Sequence, residues 1–111
     1  MHKLDLTLYS WILRGSQRRE IIKVMNDLKI PAQIFREAQQ HNPKITRNSV
    51  SDVLRSFQEK SIARCLNPDE KKGRLYQLTA NGQLIRNEIL NSASTVLPPQ
   101  GNKLEEAEEF S

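Results

Sequence analysis

Residues 63–85 read ARCLNPDEKKGRLYQLTANGQLI, and the fold turns on how this stretch divides. Residues 62–66 and 74–78 are two short apolar-biased runs, and the NPDEKKG of residues 67–73 between them is turn chemistry. Pro68 presets one backbone dihedral, Asn67 and Asp69 can bond their own backbone, and Gly73 is free to take a positive φ. The spacing predicts a β-hairpin with a charged tip. Thr79 follows at once, and its hydroxyl can accept from an orphan backbone N–H at a helix start. A helix is therefore expected over residues 80–91, with Leu84, Ile85, Ile89 and Leu90 apolar. Gly82 falls in its first turn, at a propensity cost of about 1 kcal/mol relative to Ala.

Working back from the hairpin, Val50, Val53, Leu54 and Phe57 repeat at i, i+3, i+4, i+7, the strongest helical period in the chain. Thr46 can cap that helix, and Arg47, Asn48, Ser49, Ser51, Asp52 and Arg55 stay off its apolar stripe. His41, Asn42 and Pro43 mark a turn before it, because proline disfavours helix at the preceding residue. Pro31 suits the first turn of an earlier helix whose inner face is Ile34, Phe35 and Ala38. Ser16 is a candidate cap for another, with Ile21, Ile22, Met25 and Leu28 on one stripe and an expected end near residue 28. A first helix over residues 6–13 carries Leu8, Trp11 and Ile12, and Gly15 ends it.

A chain of 111 residues with 37% hydrophobic and 27% charged residues fits one small domain and a tail, which excludes a large enzyme. No acid/base pair, nucleophile with a base, or glycine-rich phosphate loop is visible, so no catalysis and no cofactor are expected. The single cysteine, Cys65, reads as a small buried hydrophobe rather than a redox sensor, and His41 as a solvated turn residue. With only His2 besides, no metal site is expected. The sequence offers neither a membrane span nor a signal peptide, and a soluble, cytoplasmic protein is expected. The net charge of +4 is unevenly divided: residues 1–91 hold 16 of the 17 Lys and Arg and 9 of the 13 Asp and Glu, a balance of +7, whereas residues 92–111 carry −3. A basic domain over residues 1–91 points to a polyanionic partner, since Lys and Arg gain by displacing counterions condensed on nucleic acid. Residues 92–111, with Pro98, Pro99, Gly101 and four glutamates, are expected to be a disordered acidic tail.

Three helices, a turn, a fourth helix, a hairpin and a last helix are the element order of a winged helix-turn-helix, an α+β fold with a two- or three-stranded wing. The run at residues 63–85, preceded by NSVSDVLRSFQEKSIA (residues 48–63) and YSWILRGSQRREII (residues 9–22), resembles archaeal winged-helix transcriptional regulators of the MarR/ArsR-like superfamily, over roughly residues 8–91. The resemblance implies sequence-specific binding of double-stranded DNA, with residues 46–60 as recognition helix in the major groove. Its positions are Thr46, Arg47, Asn48, Ser49, Ser51, Asp52 and Arg55, with Arg47 at a base or phosphate, Asn48 at a base edge and Arg55 at a phosphate. A wing over residues 67–74, bearing Lys71, Lys72, Gly73 and Arg74, would meet the adjacent backbone or minor groove, and Arg18, Arg19 and Lys44 the backbone.

Asp52 either accepts from a cytosine amino group or pairs with Arg55 within the helix. A homodimer is expected through Trp11, Ile12, Leu84, Ile85, Ile89 and Leu90, which exceed what a small core needs. Two features depart from the family pattern. Residues 39–45 form a longer turn without glycine, leaving the angle of the recognition helix open, and Ser61 stands where glycine is usual, so it is either left-handed or the helix exits differently. The alternative to DNA is a protein-interaction module of the transcription machinery, favoured by Asp52, Glu59, Asp69 and Glu70 near the same face.

Overall fold

Five helices and a two-stranded antiparallel sheet make up residues 3–96, the part of the chain that the computed structural model describes. In order they are α1 (Leu6–Leu13), α2 (Ser16–Val24), α3 (Pro31–Gln39), α4 (Arg47–Glu59), β1 (Ala63–Cys65), β2 (Tyr76–Leu78) and α5 (Ala80–Val96). The architecture is the expected α+β winged helix. Its core is filled from every element, with Ile12 of α1, Ile21 and Ile22 of α2, Ile34 of α3, Leu54 and Phe57 of α4 and Ile85 of α5 all essentially inaccessible to solvent.

The helix starts follow local chemistry. Asp5 accepts from the Leu8 amide at 3.1 Å, Pro31 opens α3, and Thr46 caps α4. Between α1 and α2 the capping residue is Gly15, with no side-chain cap bond, rather than Ser16. The helix α2 also stops at Val24, short of residue 28, and Leu28 is exposed. The cause lies far along the chain. Lys29 and Tyr76 exchange both backbone hydrogen bonds, at 3.1 and 2.9 Å, and the chain must leave the helix at Met25 for Lys29 to reach that edge of the sheet. The third strand of the wing is this single bridge. The Lys29 ammonium is almost wholly buried and donates to the Val24 carbonyl, the last of α2, and to the Glu37 carboxylate. That hydrogen bond, with the lysine's charge and a bond from Gln33, holds the Glu37 carboxyl below the usual glutamate range despite some opposing desolvation.

The hairpin pairs Ala63 with Leu78, Arg64 with Gln77 and Cys65 with Tyr76. Each strand is three residues long, shorter than the expected 62–66 and 74–78, although ladder-like bonds continue beyond both ends, from Thr79 to the Ile62 carbonyl at 2.9 Å and from Leu66 to the Leu75 carbonyl at 2.8 Å. The last helix continues to Val96, past the expected end at residue 91, and the rest of the expected acidic tail lies outside the described residues.

The exit from α4 is settled by hydrogen bonding. Ile62 donates to the Phe57 carbonyl at 2.7 Å and Ser61 to that of Gln58 at 3.1 Å, the two bonds of a Schellman ending, and Ser61 sits at φ +59°. Of the two alternatives at this position, the left-handed serine is the one realised. A non-glycine residue there costs about 1–2 kcal/mol, partly offset because glycine has more freedom to lose from the unfolded chain. Ser61→Gly is therefore expected to stabilise the domain by about 0.5–1 kcal/mol, seen as a higher urea midpoint at unchanged m-value. A lower midpoint would show that the serine side chain contributes more than its backbone strain removes.

Candidate nucleic-acid interface

The α4 helix is anchored at its first turn by a reciprocal cap. The Ser49 amide donates to Thr46 Oγ1 at 3.1 Å, the Thr46 amide donates to Ser49 Oγ at 3.2 Å, and the two hydroxyls lie 2.8 Å apart. Both side chains were expected to face the ligand, but each is committed to the other. The remaining candidates, Arg47, Asn48, Ser51, Asp52 and Arg55, are all exposed and recur at helical spacing along one face about 12 Å long. The Arg47 guanidinium lies 5.3 Å from the centre of the Phe35 ring, so its stem rests on α3 with the charge still open to solvent. Asp52 and Arg55 form the intrahelical pair at 3.3 Å, both well exposed, an interaction worth only a few tenths of a kcal/mol. A ligand can separate them cheaply.

The long turn before α4 has an order of its own that replaces glycine. The Asn42 carbonyl oxygen of the side chain accepts from the Lys44 amide at 3.1 Å, the Ile45 amide bonds the Asn42 backbone carbonyl at 3.1 Å, and Ile45 is fully buried. This fixes where α4 begins. His41 and Lys44 are left exposed in the turn that leads into α4, and a hollow of about 370 Å³ at the start of the helix is lined by Pro43, Thr46, Arg47 and Asn48 with Phe35 and Gln39 of α3.

In the wing, Asn67 does the organising. Its side-chain oxygen accepts from the Leu75 amide at 2.7 Å and its Nδ2 donates to the Gly73 carbonyl at 3.2 Å, which folds the tip back on itself. Gly73 adopts φ +67°, as the sequence suggested. Arg74 Nε donates to the Glu70 carbonyl at 2.6 Å across the tip. Cys65 is half-buried against the core, with its thiol 3.6 Å from Asn67 Oδ1. Lys71 and Lys72 are exposed.

The wing and α4 meet around a cleft of about 320 Å³. Ser51, Arg55 and Gln58 line it from the helix and Lys71, Gly73 and Arg74 from the wing, over a floor of Pro31, Leu54 and Tyr76. Three cations from distant parts of the sequence thus share one opening. Gln58 was not anticipated, although it stands one helical turn beyond Arg55 on the same side.

Other expected contacts lie elsewhere. Arg18 donates to the Trp11 carbonyl at 2.6 Å with its guanidinium 4.2 Å from the Trp11 ring centre, and Arg19 donates to the Leu13 carbonyl at 2.9 Å. These arginines close the corner between α1 and α2 by satisfying carbonyls at the α1 C-terminus. Lys60 lies over the same Trp11 ring at 4.9 Å, which places Arg18 toward the C-terminal end of α4, away from Arg47. Of the residues expected at a dimer face, Ile12, Ile85 and Ile89 are buried in the chain's own core, where a wing with a polar tip leaves α1 and α5 to cover the remaining helices. Trp11 is half-buried, with its ring edge-on to Phe57 at 6.1 Å; Leu84 is half-buried, and Leu90 is 36% exposed. Among the described residues, no group of three His, Cys, Asp or Glu is placed to hold a metal ion, and no helix is long and apolar enough to cross a membrane.

No protein-family model and no curated protein matches the chain. Among solved structures it is similar to a MarR family transcription regulator, at 18% identity and a TM-score of 0.58 over 82% of the chain. It is also similar to NadR, solved in complex with 4-hydroxyphenylacetate, at 21% identity and a TM-score of 0.55 over 84% of the chain. The chain spans 64% of the length of the first structure and 72% of the second. At such identities the likeness carries the fold, and the fold is the winged helix.

Proposed function

We propose that this chain is a sequence-specific DNA-binding transcriptional regulator of the MarR-like type. The observation that carries the reading is the cleft in which Arg55 of α4 faces Lys71 and Arg74 of the wing. A major groove about 12 Å wide admits one helix, and the exposed face of α4 fits it with Arg47, Asn48 and Ser51 toward base edges. Arg55, Lys71, Lys72 and Arg74 then lie toward the phosphates on either side, with Lys44 at the backbone beside the N-terminus of α4. Thr46 and Ser49 act through the cap, by fixing the helix that the others project from. Two copies joined through the outer sides of α1 and α5, with Trp11, Leu84 and Leu90 in the contact, would present two α4 helices to a palindromic site in the cytoplasm.

The test is fluorescence anisotropy with a mixed-sequence duplex across a salt series. Binding is expected to weaken with salt at a slope of about 0.9 per neutralised phosphate, and Lys71→Ala/Lys72→Ala is expected to lower that slope by about 1.8. Arg47→Ala is expected to weaken binding about tenfold, within the range for loss of one good base or phosphate contact. No binding at low salt, or binding indifferent to all three residues, would overturn the proposal in favour of a protein-interaction module.

A further inference from the structure

Tyr76 lines the cleft between α4 and the wing and is only 6% exposed. Its backbone is held from both edges, paired with Cys65 of β1 on one and exchanging two hydrogen bonds with Lys29 on the other. Its side chain is not held in this way. Among the described residues the Tyr76 hydroxyl has no hydrogen-bond partner, whereas that of Tyr9, the other tyrosine, lies 3.3 Å from Ser92 Oγ. A buried hydroxyl left without a partner costs stability, and phenylalanine would fill the same space without that cost. We propose that the cleft is a pocket for one phosphate group, with the Tyr76 hydroxyl as the donor at its floor. The inference rests on the reading of that cleft as the nucleic-acid interface, and assigns to it a ligand group and a further binding residue.

The rest of the lining suits an anion. Of the nine described residues around the cleft none is acidic, and three are cations. Arg74 commits Nε to the Glu70 carbonyl and Arg55 commits one terminal nitrogen to Asp52, so each guanidinium keeps donors free. Among the described residues, the side chains of Lys71, Ser51 and Gln58 have no hydrogen-bond or ion-pair partner. Pro31 and Leu54 flank Tyr76 with apolar surface, which strengthens any hydrogen bond made there. A space of about 320 Å³ is at the low end of ligand pockets, so it suits a single tetrahedral group rather than a base pair or a folded partner.

Such a phosphate has two sources, the backbone of a duplex or phosphate free in solution. With α4 in the major groove, the space between the helix and the wing is where a backbone phosphate enters. Its two unesterified oxygens can accept from the Tyr76 hydroxyl and from a rim cation together. The cations are general attractors of polyanions, whereas the hydroxyl, neutral and fixed by the sheet, selects a phosphate placed at one point.

The experiment compares the full chain with Tyr76→Phe, which removes one oxygen and keeps the ring. The urea midpoint is expected to stay level or rise, because the free protein loses no bond. In anisotropy with the mixed-sequence duplex, affinity is expected to fall about tenfold, as for one hydrogen bond to a charged group, at an unchanged salt slope because no cation is removed. A lower midpoint would show that the hydroxyl holds the fold, and would overturn the proposal. Inorganic phosphate, titrated into each protein while backbone amide shifts are followed, separates the sources. A loss of duplex affinity with no response to inorganic phosphate assigns the pocket to the DNA backbone. Shifts at Ser51, residues 71–74 and Tyr76 that vanish in the variant, with no duplex binding by either protein, would refute the DNA reading while leaving the phosphate pocket standing. Duplex binding and phosphate response both indifferent to the substitution would overturn the pocket and leave DNA binding by the cations intact.

Discussion

Gly82→Ala is expected to destabilise the domain by about 2–3 kcal/mol, the cost of overpacking, although helix propensity alone predicts a gain of about 1 kcal/mol. A β-carbon built on Gly82 would lie 2.1 Å from the Ile62 carbonyl oxygen and 3.1 Å from the Leu78 side chain. That oxygen cannot move away. It accepts from the Thr79 amide at 2.9 Å and shares the single Thr79 hydroxyl proton with the Ser61 carbonyl, the two oxygens lying 3.1 and 2.6 Å from Oγ1, while that hydroxyl accepts from the Gly82 amide at 3.2 Å. Thr79 therefore locks the first turn of α5 onto the segment leaving α4, and only glycine lets the two backbones approach so closely. An added methyl group forces α5 outward and breaks the cap. The melting temperature is expected to fall by about 10–20 °C, at roughly 4–8 °C per kcal/mol for a domain of this size. A rise in melting temperature would show that propensity outweighs the contact and that the backbones can separate at little cost.

The same residue shows where sequence reasoning stops. Its place in the first turn of a helix was legible, but its use depends on a carbonyl twenty positions earlier that spacing cannot reveal. The limit recurs at α2: Leu28 continues the stripe of Ile21, Ile22 and Met25 in register, yet the helix ends at Val24 because Lys29 pairs with Tyr76, a partner far away in the chain. Local signals held at three starts and turns and failed at one, Ser16, where Gly15 is the capping residue of α2. Thr46 caps α4, Pro31 opens α3, and Gly73 takes the positive φ of the hairpin tip. At the candidate interface, the exposed face of α4 follows from helical period alone, whereas the convergence of Arg55 with Lys71 and Arg74 is tertiary. Arg18 and Arg19 look like phosphate ligands in sequence and prove to be bound to the carbonyls of Trp11 and Leu13.

Phe57→Ala is expected to cost about 3–5 kcal/mol, much of the roughly 5–15 kcal/mol that stabilises a small domain. Phe57 is fully buried, meets the Trp11 ring edge-on at 6.1 Å, and gives its carbonyl to Ile62 in the turn that leads to the wing. Truncation leaves a cavity where α1, α4 and the start of β1 come together, and removes an aromatic contact worth about 0.5–1.5 kcal/mol beyond its area. A loss of that size leaves too little stability for DNA binding to be read, so Phe57→Leu, expected to cost only about 1–1.5 kcal/mol, separates scaffold from surface. Its urea midpoint should fall, because the smaller side chain still loses the ring contact. Its duplex affinity and salt slope at low temperature should stay within about twofold of wild type, because none of the exposed side chains of α4 or the wing has changed and the folded fraction remains near one. A changed salt slope in this variant would mean that Phe57 sets the angle between α4 and the wing, so that packing beneath the interface decides which phosphates the cations reach.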